Sequence, residues 1–127
     1  MKIGFDEKTL LVEVPLTGDI RTLRSELTYY SAILGYMVVV PAGFKTDLGS
    51  IPQWLQGVFP KDGKAMYGYV LHDYLYKIGL TTRTLSDDVL EEAMEALGVS
   101  WRARKSVRAG LKLGGWVAWD KHRKGLT

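Results

Sequence analysis

His72, Asp73 and Tyr76, followed by Asp87 and preceded by Thr46, Asp47, Ser50 and Pro52, are the residues of this chain whose types and spacing could do chemistry. An imidazole beside carboxylates and a phenol can move protons, and the same carboxylates can hold a divalent cation. Their placement follows from the apolar residues around them. Between residues 64 and 78, Tyr67, Val70, Leu71, Tyr74 and Ile78 recur at i, i+3, i+4, i+7 and i+11, one face of a helix. At roughly 100° per residue, Tyr69, His72, Asp73 and Tyr76 project together from the opposite side. A face turned to water would carry lysines and glutamates. This one carries an imidazole, a carboxylate and two phenols, so another element is expected to pack against it.

Asp87, on the next helix, lies at the edge of the stripe formed by Leu90 and Met94, whereas Asp88, Glu92 and Glu95 are expected to point outward. A carboxylate buried alone would be neutralised or strongly destabilising, so a donor or cation must sit beside it, with His72, Tyr76 and Lys45 as candidates. His72 and Asp73 are neighbours on one helix and cannot readily pair, so orienting the imidazole falls to Asp87. The catalytic candidates are therefore His72, Asp87 and Tyr76. For a metal, the candidates are Asp73 and Asp47. His122 stands in a Lys/Arg-rich tail, which argues against a two-histidine zinc site. One histidine with carboxylates would suit zinc, manganese or calcium. Each residue also has a structural use: His72 as a hydrogen-bonded core histidine, and Thr46, Asp47, Ser50 and Pro52 as a tight loop whose side chains satisfy its own amides. Ser50 lacks the Gly-x-Ser-x-Gly elbow of a serine hydrolase.

The elements that must position these groups read as strands first and helices after. Residues 10–14, 23–29 and 35–40 have strand character, punctuated by Pro15, Gly18, Gly35 and Pro41. Residues 41–52 contain Pro41, Gly43, Gly49 and Pro52 and read as a strand or extended arm entering an ordered loop. A short helix over residues 53–58 then follows Pro52. After the helix over residues 64–78 and a Thr-rich connection over 79–84, a second helix buries Ser86, Leu90, Ala93, Met94 and Leu97 and ends at Gly98. A third starts after Ser100, a good N-cap, and runs to about Trp119. Gly110, Gly114 and Gly115 inside it each cost about 1 kcal/mol against alanine, so they are expected to mark a close approach. No repeat or linker divides the chain. The expectation is a single α+β domain over residues 1–127, with N-terminal antiparallel strands in a strand-rich part (1–50) and a C-terminal three-helix region (52–122).

The 127 residues are 46% hydrophobic and 24% charged, which suits one folded core and excludes a disordered chain. With no cysteine, disulfides and thiolate metal sites are excluded. The opening residues lack the apolar stretch of a signal peptide, and no run approaches the roughly 20 apolar residues that span a bilayer. No membrane span is expected. The net charge of +3 is mild, but Arg102, Arg104, Lys105, Arg108, Lys112, Lys121, Arg123 and Lys124 crowd the last quarter. The solvated face of an amphipathic helix is the leading reading, ahead of a nucleic-acid surface, because no nucleic-acid-binding motif accompanies them.

The stretches V-P-A-G-F-K-T-D-L-G-S-I-P over residues 40–52, L-H-D-Y-L-Y over 71–76, the segment from Asp87 to Met94, and Gly114-Gly115-Trp116 occur in this order. Together they resemble the domain-of-unknown-function family 1353 of tailed bacteriophages and prophages. The family's pattern falls on Asp47, Ser50, Pro52, His72, Asp73, Tyr76 and Asp87, with Gly49 where the family commonly has alanine. The resemblance implies a small phage protein encoded near tail and lysis functions. It would be made in the host cytoplasm, could be carried into the virion, and would have other phage proteins, such as tail components, as partners. It implies no established activity.

A looser likeness covers one helix pair: His72-Asp73-x-x-Tyr76 with a later aspartate is similar to the site of secreted calcium-dependent phospholipases. That likeness implies His72 as base, Asp73 as calcium ligand and Asp87 with Tyr76 as orienters. The cysteines of those enzymes are missing, as is their glycine-rich calcium loop unless residues 46–50 replace it. The leading expectation is thus an accessory or virion-associated protein, with Trp101, Trp116 and Trp119 as interface anchors where exposed. A metal-assisted or histidine-based hydrolase of a phosphoester, lipid or cell-wall bond is the alternative, and a nucleic-acid-binding accessory protein is the second alternative.

Overall fold

A computed structural model of the chain describes residues 2–6, 21–46 and 65–124. In chain order its elements are strands β1 (Gly4–Phe5), β2 (Arg21–Thr22), β3 (Leu27–Ser31), β4 (Tyr36–Val40) and β5 (Lys45–Thr46), then helices α1 (Ala65–Ile78), α2 (Arg83–Ala96) and α3 (Trp101–Arg123). Antiparallel strands followed by three helices make this an α+β fold, as the change of apolar period from two to 3.6 implies. The strand expected at residues 10–14, the short helix at 53–58, and Asp47, Ser50 and Pro52 lie outside the described residues.

β3 and β4 form a hairpin in register from Leu27 opposite Val40 to Ser31 opposite Tyr36, and β1 adds to the other side of β3. Alternation decides which face is inside: Leu27, Tyr29, Ser31, Val38 and Val40 are buried, while Met37 and Val39 are exposed, as is Tyr36 at the start of β4. The alternating stretch over residues 23–29 does not form one strand. Its start directly follows β2, which pairs with β5 in a second sheet, and Leu23 bonds through its backbone to Gly43 and Phe44 before the chain turns into β3. Leu23 is nevertheless in the core, which is why its apolar signal blends with that of the next strand.

α2 starts at an N-cap, Thr82, whose side chain accepts from Leu85 N at 3.1 Å, and it ends as Gly98 takes φ +83°. Ser86, Leu90, Ala93, Met94 and Leu97 are buried as their spacing predicts. α1 and α2 approach closely at Gly68, where a Cβ would meet Leu90 Cδ1 at 3.3 Å. No pattern in the sequence singled that glycine out. α3 runs to Arg123, past the expected end near Trp119.

α1 departs most from expectation. Of the stripe read as its buried face, Val70 and Leu71 are fully buried, Tyr67 and Tyr74 are half-buried and Ile78 is 55% exposed. The polar side is sealed, because α1 is the central helix, touching α2, α3, β3 and β5. The core joins Phe5, Leu23, Leu27, Tyr29, Val38 and Val40 of the strands to Leu71 and Leu75 of α1, to α2, and to Val107 and Leu111 of α3. Each large aliphatic side chain so buried contributes about 1.5–3 kcal/mol.

Candidate functional site: a buried histidine–aspartate dyad

Because Thr82 fixes where α2 begins, Asp87, Leu90 and Met94 fall on one inward stripe, and that stripe faces α1. Asp87 Oδ1 lies 2.7 Å from His72 Nε2 and accepts the Tyr76 hydroxyl at 2.6 Å. An ionised carboxylate can only accept, so Nε2 is the donor of this bond. His72 and Tyr76, one turn apart on α1, also pack ring to ring at 4.2 Å. His72, Asp73 and Tyr76 are fully buried and Asp87 is 5% exposed. Burial is the main reason the Tyr76 phenol loses its proton far less readily than a free tyrosine, and the hydrogen bond to Asp87 adds to it. Two of the three partners considered for Asp87 are therefore at its side. The third, Lys45, is exposed and instead offers its backbone carbonyl to Lys77 Nζ at 3.0 Å.

Asp73 points to a different neighbour. Its Oδ2 accepts the Thr46 hydroxyl and lies 3.6 Å from Lys77 Nζ, so the carboxylate ties β5 to α1. Lys77 completes the link by sitting over the Phe44 ring at 5.6 Å. One helix thus carries two adjacent acid–base residues with separate duties: His72 faces α2, and Asp73 faces β5. Asp73 was a metal candidate together with Asp47. Among the described residues no group of three or more histidines and carboxylates is arranged to hold an ion. The crevice between α2 and α3 that Asp87 lines is too narrow for a water molecule. An open groove of about 270 Å³ lies elsewhere, between β1 and the end of α2, lined by Ile3, Tyr30, Met37 and Leu97 among others.

Two contributors escaped the sequence reading. Glu92, expected to point outward, accepts the Tyr29 hydroxyl at 2.8 Å and the Ile33 amide at 3.0 Å, because the β3–β4 turn comes down onto α2 at that point. Arg123 donates from Nη2 to the carbonyls of Tyr76 at 2.6 Å and Lys77 at 3.1 Å and stacks on Trp119 at 4.2 Å, while Trp119 packs edge-on against Tyr76. Neither had a local signal, since both partners are far away in sequence. Of the other basic residues, Lys105 pairs with Glu91 at 2.7 Å and Arg108 with Asp88 at 2.6 Å. Arg104 bonds the Val99 carbonyl. Trp101 is 63% exposed, Trp119 is half-buried, and the side chains of Trp116, Lys121 and His122 lie outside the described residues.

The geometry defines a class of protein: a small α+β fold whose central helix buries a histidine–aspartate–tyrosine group. Residues 21–110 match the family described as Protein of unknown function (DUF1353), and the chain belongs to that family. No curated protein and no solved structure matches it. Among the described residues no helix is long and apolar enough to cross a membrane.

Proposed function

We propose that this is an accessory protein of a tailed bacteriophage, associated with the virion in its tail region, in which the polar cluster braces the fold. The observation that carries the structural role is enclosure: His72, Asp73 and Tyr76 have no exposure, and their hydrogen bonds join α1 to α2 and to β5. The phage setting rests on the motif resemblance. Apolar side chains left outside the core, among them Tyr36, Met37, Val39 and Trp101, offer a partner something to bury. Mass spectrometry of purified virions tests the proposal. The chain is expected in particles at a fixed ratio to tail proteins, and its absence from them overturns the virion role.

A second reading, a histidine-based hydrolase, is favoured by one specific observation. Asp87 receives both His72 Nε2 and the Tyr76 hydroxyl, and a carboxylate that orients an imidazole is what histidine general-base chemistry uses. The phospholipase likeness implies that orienting role for Asp87 and Tyr76, whereas Asp73, the calcium ligand it implies, is bonded to Thr46. Phosphoester, phospholipid and cell-wall substrates, each with and without added calcium, would be offered to the wild-type chain and to His72→Gln. Turnover by the wild type that His72→Gln lacks supports the reading; equal or no turnover in both overturns it.

A further inference from the structure

We propose that Arg123 is a positioning residue for His72, acting from the end of α3 through Trp119, Tyr76 and Asp87. The inference rests on the histidine-based reading, since it concerns how the imidazole is held. Four observations connect the ends of the chain of contacts. The last carbonyls of a helix have no partner within it, and Arg123 Nη2 takes two of them on α1, those of Tyr76 and Lys77, at 2.6 and 3.1 Å. The same guanidinium lies over the Trp119 ring at 4.2 Å. Trp119 meets the Tyr76 ring edge-on at 5.3 Å and an interplanar angle of 86°. Tyr76 in turn donates to the Asp87 oxygen that holds His72 Nε2. Arg123 thus grips the backbone of Tyr76 and, through Trp119, backs its ring.

The backbone leaves room for this grip at one place. Gly79 follows α1 at φ +67°, and a Cβ there would lie 2.8 Å from Arg123 Nη1. A side chain at residue 79 would displace the guanidinium. Trp119 and Arg123 stand beyond residue 110, where the family match ends, so this chain supports a family motif with residues outside the matched span.

The test uses the full chain and reads the His72 ring directly by nuclear magnetic resonance, as solvent exchange of its Nε2 proton, assigned by loss of the signal in His72→Gln. Arg123→Met keeps the stem and removes the guanidinium, and Arg102→Met removes an exposed arginine of the same helix. Exchange is expected to be roughly tenfold faster in Arg123→Met, as when one bond of a buried network is loosened, and unchanged in Arg102→Met. Should Arg123→Met not fold, Arg123→Lys, which keeps the charge without the planar fork, is read instead and is expected to exchange faster than wild type. A wild-type rate in the variant read, or equal acceleration in Arg102→Met, overturns the proposal. Because no substrate enters the measurement, its failure is distinct from failure of the hydrolase reading, which turnover decides.

Discussion

Asp87 carries two donors on one buried oxygen, and that makes it the most consequential single side chain described. Replacing it by alanine strands the His72 and Tyr76 donors and is expected to cost roughly 2–4 kcal/mol in urea unfolding. Asp87→Asn, whose amide oxygen can still accept, should cost clearly less. The buried tyrosines add a pH dependence. Burial raises the Tyr29, Tyr69 and Tyr76 phenols well above the free value of 10.0. The unfolded chain therefore ionises first, so their contribution is intact below about pH 10 and declines above it by roughly 1.4 kcal/mol per tyrosine per pH unit. Cooperative alkaline unfolding that begins near that pH, followed by circular dichroism, is the expected result; full stability well beyond it would contradict the assignment. Helical projection was enough to separate Asp87 from Asp88, because both the cap and the apolar stripe are local. It could not place Glu92 or Arg123, whose partners are 63 and 47 residues away.

At the level of elements, the same projection grouped the α1 residues correctly and anticipated a partner for the polar face, but took Tyr67, Tyr74 and Ile78 to be as deeply buried as Val70 and Leu71. A hydrophobic stripe marks the buried side of a helix that has a wet side; α1 has almost none, so its aromatic stripe drifts to the rim while the polar cluster takes the centre. The connection after α1 provides a test of geometry. Gly79 and Gly43 both adopt positive φ, +67° and +89°, but a Cβ at Gly43 would meet open space and one at Gly79 would strike Arg123. Gly43→Ala should cost about 1 kcal/mol from backbone conformation alone. Gly79→Ala should exceed it measurably in the same denaturation assay, and equality of the two would mean that Arg123 does not press on that site.

For the whole molecule, the order of strands and helices was legible, since the change of apolar period falls between β5 and α1. The division of strands between two sheets was not, because pairing depends on contacts that alternation does not encode. The basic last quarter looks different in three dimensions: Lys105 and Arg108 answer acids on α2, Arg104 bonds the Val99 carbonyl and Arg123 caps α1. Duplex DNA binding is accordingly expected to stay within the weak nonspecific range, with a Kd of roughly 10⁻⁴–10⁻⁶ M that rises steeply with salt. Tight binding in a filter or anisotropy assay would restore the nucleic-acid alternative.

Glu92 also has a meaning in time. Its carboxylate joins the β3–β4 hairpin to α2 across 59 and 63 residues, so both bonds wait until sheet and helices have already met. Bonds made that late act on the way out of the native state rather than on the way in. Glu92→Gln should therefore hasten unfolding several-fold in stopped-flow chevrons while the refolding arm stays in place, which makes this one carboxylate a latch on the lifetime of the fold.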